Sequence, residues 1–543
     1  MSPFLPTILL LAAIISTAAA VTPSHTFLRS SCVSARHPEL CISSIAASAS
    51  LLHSISSSKD VIHASLNLTL AAVRRSIAGA KIISARPSLT SRERAAVQDC
   101  LEMFDETLDE LRRADADLRS YPPGVSSSKP LSRHAADLKI MISGAITNQE
   151  SCADGFSHAS DDRRLRVGIL RGLTYIERMC ENALAMIRNM TDGDMAAAAT
   201  QGRKLASRYD GFPEWMTAGD RRQLQSADTA ADVTVAADGS GNFSTITEAV
   251  AAAPVKSKRR FVIKIKAGVY AENVEVPKNK TNIMFVGDGR TKTVITGSRN
   301  VVDGWTTFRS ATLAAVGSGF LARDLRIENT AGPSKHQAVA LRVGSDLSAF
   351  YNCDIIAHQD TLYVHSLRQF FRSCLIQGTV DFIFGNAAAV FQDCDVQARR
   401  PGLNQKNMVT AQGRSDPNEP TGIVLQSCRI AATDDLEAAK DSFPSYLGRP
   451  WKEYSRTVVL RSEIGDFIRP EGWHEWNLDF GLDTLYYGEY ENTGPGAGTA
   501  RRVDWKGYRV ITDAGEAQQF TVGNFLDGSD WLGATGFPFS LGL

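Results

Sequence analysis

Two hydrophobic periods divide the chain. From Cys32 to about Ala198 apolar residues recur every three or four positions, as in LNLTLAAVRRSIAGAKI (66–82) and AVQDCLEMFDETLDELRRADADL (96–118). That spacing predicts amphipathic helices. It breaks at Tyr121-Pro-Pro-Gly and resumes in LSRHAADLKIMISGAITNQESCADGF (131–156), so an all-α bundle is expected. From Val233 onward the period changes. Short Val/Ile/Phe runs (DVTVAADG, FVIKIKAGVY, VEVP, NIMFVGDG) alternate with Gly, Asn and Asp, which predicts strands joined by turns.

The strand region contains a repeat. AFYNCDI (349–355), QFFRSCLI (369–376), VFQDCDV (390–396) and VLQSCRI (424–430) share an apolar pair, two polar residues, Cys, a polar residue and an apolar one. A period of this length built from short strands predicts a parallel β-helix whose coils stack on one another. The wider step from Cys394 to Cys428 reads as one coil plus a long loop. Cys353, Cys374, Cys394 and Cys428 then form an inward ladder of thiols, or some of them are bridged. A zinc site does not fit, because no close Cys or His pairs accompany them.

The same period brings polar groups together. Asp360 follows Cys353, and Asp381 follows Cys374, by the same interval, so the two carboxylates fall at equivalent places on adjacent coils. Gln337 and Gln359 are about one coil apart as well. Two carboxylates at strand spacing do not ionise together easily; one tends to keep its proton and the other its charge. That division makes a general acid beside a nucleophile or base. Two turn aspartates in water are the alternative, but QDTLYVHS (359–366) and GTVDFIFGN (378–386) surround them with apolar side chains. LGRPWKEYSR (447–456) adds Arg449, which would keep a nearby carboxylate ionised, and Trp451, a flat face for a sugar ring.

Composition narrows the class. Of 543 residues, 59 are Lys or Arg and 59 are Asp or Glu, and the hydrophobic share is 43%. This is ordinary globular composition, and a neutral chain lacks a general electrostatic grip on nucleic acid or anionic membrane. The first apolar run, Phe4–Ala20, is short, carries Pro6 and ends in small residues, which fits a signal peptide over 1–20 removed after Ala20. Sequons at Asn67, Asn189, Asn242 and Asn279 are compatible with secretion. In a secreted chain Cys32 with Cys41 could close a helical hairpin and Cys100 with Cys152 could tie two helices; Cys180 is then odd, and a plain buried thiol stands level with any other role for it. The segment 200–226 has no apolar period and carries the basic pairs Arg203-Lys204 and Arg221-Arg222, so it reads as an exposed linker open to proteolysis.

GVYAENV (268–274), HQAVALR (336–342), QDTLY (359–363), VDFIFGN (380–386) and LGRPWKEYSR resemble, in content and order, the signature blocks of plant pectin methylesterases. That family has a right-handed parallel β-helix, and the similarity runs from about Val233 to the C-terminus. DCLEMFDETLDEL and TNQESCADGF resemble the pectin methylesterase inhibitor domain, a four-helix bundle that precedes the enzyme as a pro-region. The resemblance implies a signal peptide, an inhibitor-like region over 28–190, a linker over 200–226 and a catalytic domain over 230–543. It also implies a secreted, cell-wall protein that is monomeric, needs no cofactor or metal, and acts on methyl-esterified homogalacturonan.

Carried over by position, Asp381 resembles the nucleophile that attacks the methyl ester, and Asp360 the acid that protonates departing methanol and then activates water. Gln359 and Gln337 resemble the oxyanion donors. Arg449 resembles the residue that holds Asp381 charged, and Trp451 a sugar platform. Thr307 and Phe384 are lesser contacts by the same implication, with turn or core roles as the alternative. The pro-region is expected to touch and restrain its own enzyme until a protease cuts at Arg203-Lys204 or Arg221-Arg222. Neither RKLA nor RRQL fully matches the family's usual cleavage motif. From Ser226 onward there are 33 Lys and Arg against 36 Asp and Glu, a balance of −3, which predicts weak salt dependence on polygalacturonate.

Three rivals remain to be separated. A pectin lyase or polygalacturonase would need Ca²⁺-binding acids or carboxylates placed for glycosidic cleavage. A serine esterase would need a Gly-x-Ser-x-Gly elbow, which the chain lacks. A non-catalytic pectin-binding or inhibitor protein would not need both aspartates.

Overall fold

A computed structural model describes residues 23–122, 129–156, 163–200 and 230–543. The expected signal peptide over 1–20 and both basic pairs of the linker lie outside the described residues. No described helix is long and apolar enough to cross a membrane.

Among the described residues seven helices make the first part: α1 (Pro23–Cys32), α2 (Pro38–Ala46), α3 (Ala49–Ser54), α4 (Ser58–Ser84), α5 (Ser91–Arg119), α6 (Leu131–Asp154) and α7 (Arg163–Thr200). They extend past 28–190 at both ends. The four long ones, α4 to α7, pack their apolar faces together as a bundle with Leu66, Phe104, Leu111, Ile142, Ile146 and Leu184 in its core. Thr90 starts α5 with a capping box, its hydroxyl accepting from Glu93 N at 3.1 Å while Glu93 accepts from Thr90 N at 2.7 Å. Cys32–Cys41 joins α1 to α2 and Cys100–Cys152 joins α5 to α6. Cys180 is a free, buried thiol.

The second part is a parallel β-helix of three sheets, with 11, 7 and 8 strands among the described residues. Every neighbouring pair of strands is parallel, one coil apart, as at Leu341↔Leu362↔Ile383 in the second sheet. Each Cys repeat spans the bend from the first sheet to the third: strand Ser348–Tyr351, then Asn352, Cys353, then strand Asp354–Ile356. Asn352, Ser373, Asp393 and Ser427, each directly before its Cys, have φ between 51° and 54°. Short polar residues tolerate that left-handed conformation, and it turns the chain. The cysteines point inward and are all free, so the ladder of thiols is the arrangement formed. Beside it Phe350, Phe371 and Phe391 stack at 4.9 and 4.5 Å. The wide step to Cys428 is one coil, with strand Asp395–Ala398 pairing Arg429–Ala432 and the extra residues looped out.

The bundle lies on the second sheet. Its core cluster continues without a break into Phe308, Val339, Tyr363, Phe384 and Ala411 of the β-helix. Ion pairs ring this contact: Arg36 with Asp416 at 3.4 Å, Arg368 with Asp137 at 2.7 Å, and Arg309 with Glu102 at 2.8 Å.

Candidate active site

The second sheet aims the functional side chains. Asp360 and Asp381 occupy the turns that lead into strands Leu362–Val364 and Ile383–Gly385, and both are left-handed, with φ of 62° and 51°. The turns are coupled: Asp360 N donates to Val380 O at 3.0 Å, and Leu362 N to Phe382 O at 2.9 Å. Gly378 makes the second turn possible, since a Cβ there would lie 2.2 Å from Phe382 Cβ. Arg449 follows strand Ser445–Gly448 and is tied back by its own N–H to Thr410 O at 3.0 Å.

One cavity of about 380 Å³ is lined by all eight residues singled out from the sequence: Gln337, Gln359, Asp360, Asp381, Arg449, Trp451, Thr307 and Phe384. Arg449 forks onto Asp381, its Nε donating to Oδ1 at 2.8 Å and Nη2 to Oδ2 at 2.6 Å. Among the described residues Asp360 has no such partner. Burial, and then the negative charge of Asp381, push its carboxyl well above the usual range, with Arg449 opposing. The two acids are 7% and 6% exposed. Tyr363 stacks on Phe384 at 4.3 Å, and Trp451 meets Phe384 edge-on at 5.9 Å, which gives the cavity an aromatic floor.

The glutamines differ from the coil reading in one respect. The register between strands is 21 residues (Leu341↔Leu362), and Ala338 N donates to Gln359 O, so Gln337 sits one residue out of step with Gln359. A turn of 3₁₀-helix at Pro333–Lys335, followed by His336 at φ 55°, displaces the chain there. Both residues still line the cavity.

The sequence reading did not single out Tyr363, Phe308 or Trp476 as site residues. Trp476 lies under the Arg449 guanidinium at 4.3 Å. Nor did it identify the wall supplied by the bundle: Arg92, Ser151, Asp154 and Gly155 line the same cavity. Ser151 Oγ lies 2.8 Å from His365 Nε2 and 3.2 Å from the Tyr363 hydroxyl. Asp154 pairs with Lys452 at 3.5 Å, beside Trp451.

Sequence and structure comparisons agree with this division. The profile of the Pectinesterase family matches residues 232–529, and that of the plant invertase/pectin methylesterase inhibitor family matches 26–186. "Pectinesterase 3" of Citrus sinensis is 61% identical over 525 residues, covering 96% of this chain and 89% of that one. "Pectinesterase/pectinesterase inhibitor 3" of Arabidopsis thaliana is 60% identical over 544 residues, covering 96% and 91%. Among solved structures, a pectin methylesterase from carrot superposes with a TM-score of 0.58 at 68% identity, covering 59% of this chain and 100% of that one. The likeness runs along nearly the whole length of these two relatives and takes in both parts of the fold, so the chain belongs to the pectinesterase family.

Proposed function

We propose that the chain is a secreted, cell-wall precursor whose β-helix removes methyl esters from homogalacturonan, giving pectate and methanol. The observation that carries this reading is the contrast between two adjacent acids: Asp381 held by a bidentate guanidinium, Asp360 buried with no cation of its own among the described residues. In the reaction Asp381 attacks the ester carbonyl. Gln337 and Gln359 donate to the oxyanion of the tetrahedral intermediate. Its collapse expels methanol, which takes the Asp360 proton, and leaves the galacturonyl group as an anhydride on Asp381. Asp360, now charged, takes a proton from water; the hydroxide adds to the acyl carbon and releases pectate and the Asp381 carboxylate. The Tyr363–Phe384–Trp451 floor suits the apolar face of a sugar ring.

The bundle restrains the enzyme in cis by roofing the cavity with Ser151, Asp154 and Gly155. Cutting the linker at Arg203-Lys204 or Arg221-Arg222 would leave that roof held by non-covalent contacts alone and free to dissociate, and the released β-helix would work as a monomer. The test is methanol release from highly esterified pectin by residues 230–543 beside Asp381→Asn. We expect a fall of roughly 10³-fold or more in the variant, with no shortening of the polymer. Chain shortening would favour a lyase or polygalacturonase; no methanol from a folded protein would favour a non-catalytic binder.

A further inference from the structure

Beyond the ester-cleaving groups, the cavity floor continues into a basic edge that the ester chemistry leaves unused. Outward positions of the second sheet align as Ala314, Arg342, Tyr363 and Phe384. Arg342 is therefore the next rung after the stacked Tyr363–Phe384 pair, about 4.8 Å along the β-helix axis. Its guanidinium carbon lies 3.4 Å from the Phe308 ring centroid, and Phe308 is itself a wall of the cavity. Arg309 follows directly. One guanidinium thus stacks on this aromatic lip and a second follows it in the chain, both reaching the Glu102 carboxylate, in a region whose overall balance is −3.

What they hold is acid from α5. Arg309 pairs with Asp99 at 2.5 Å and Glu102 at 2.8 Å, and Arg342 Nη2 reaches Glu102 at 3.3 Å. Asp99 and Glu102 lie three apart on one face of α5. The fit at Arg342 is incomplete. The residue is 3% exposed, yet its Nε and Nη1 are buried with no hydrogen-bond partner among the described residues. Buried donors left open carry a desolvation cost, so a single oxygen at 3.3 Å does not account for the fork.

We propose that Arg309 and Arg342, beside Phe308, form a subsite for the free carboxylate of an already de-esterified galacturonate residue, whose neighbour along the same polymer presents its ester to the cavity. Asp99 and Glu102 occupy that subsite in the precursor as stand-ins. This rests on the esterase reading. A carboxylate matches a guanidinium fork with two oxygens and full charge, whereas a neutral methyl ester offers one good acceptor. Each turnover makes a carboxylate, so the product of one cleavage becomes the recognition element for the next. Local attraction of this kind also replaces the weak salt dependence that net charge alone predicts.

Residues 230–543 are a sound test protein, because they contain the whole Pectinesterase-family match, 232–529, and the solved carrot pectin methylesterase is covered over 100% of its own length by only 59% of this chain. In Arg309→Gln and Arg342→Gln, we expect kcat/KM on partly de-esterified pectin, relative to fully esterified pectin, to fall roughly ten-fold. Inhibition by unesterified oligogalacturonate should weaken by a similar factor, and in the unsubstituted protein it should weaken with salt. If the ratio and the inhibition match the unsubstituted protein in both variants, the subsite does not exist. If the unsubstituted protein releases no methanol from either pectin, the esterase reading fails instead. A second arm leaves the β-helix untouched. Full-length chain carrying Asp99→Asn and Glu102→Gln should bind oligogalacturonate roughly ten-fold more tightly than the unsubstituted chain; equal binding would overturn the stand-in role.

Discussion

The proton on Asp360 is favoured by burial and by the negative charge of Asp381, and opposed by the Arg449 guanidinium. Each contribution can be removed separately. Asp381→Asn takes away the repelling charge, so the Asp360 midpoint should fall, while burial still keeps it above the usual carboxylate range. Arg449→Gln takes away the cation, so the midpoint should rise further. Carbon-13 NMR of labelled aspartate carboxyls in residues 230–543 would follow both shifts, and a midpoint that stays put in both variants would mean the acids do not interact. The pairing of the two acids was legible in the sequence because the aspartates share a place in the coil, whereas which of them keeps the proton was implied only by the family resemblance. Trp476 was not. It sits on an excursion with no coil period, and only the fold brings it under Arg449. The mates of Arg309 and Arg342 were hidden for a similar reason, Glu102 lying 207 residues away from Arg309.

At the scale of one coil, the bend before each cysteine explains why so faint a repeat specifies a regular fold. Asp324, Asn352, Ser373, Asp393 and Ser427 all adopt φ between 51° and 59°, and the residue after each turns inward: Leu325, then the four cysteines. The polar residue sets the turn, and the next fills the interior. A β-branched residue at the bend pays the steric cost of left-handed backbone. Ser373→Val should therefore lose about 1–2 kcal/mol, whereas Ser373→Gly should stay within about 0.5 kcal/mol of the original. Urea unfolding of residues 230–543 measures both. Equal losses for Val and Gly would assign the effect to the serine hydroxyl instead of the backbone. The repeat showed itself where turn and inward residue recur together. It misled by one residue at Gln337, where the 3₁₀ turn at Pro333–Lys335 interrupts the coil.

Docking of bundle on β-helix couples the whole molecule to pH through a second set of buried acids, away from the Arg309 edge. Glu150 of α6, Glu177 and Glu181 of α7, and Asp416 and Glu419 of the β-helix crowd together, faced by Lys452, Arg414, Arg36, Arg178, His37 and Asp154. Burial, reinforced by neighbouring carboxylates, pushes Glu150 and Glu419 up to about 8 and Glu177 up to about 7. A carboxyl whose pKa is raised in the docked state holds a proton there that the separated surfaces release near their ordinary values. Its favourable contribution is fully present below about pH 4.3, declines as pH rises, and is gone above about pH 8. Because both disulfides lie within the bundle, a cut in the linker leaves only this non-covalent contact. In chain nicked there, the bundle should leave the β-helix at least ten-fold more readily at pH 8 than at pH 5, read as the dissociation constant by sedimentation. Glu419→Gln carries its neutrality at every pH, so it should flatten that dependence and tighten docking mainly at the alkaline end. A dissociation constant indifferent to pH, or one that falls as pH rises, would show that these acids meet water in the docked molecule and that the ion pairs around the rim govern release.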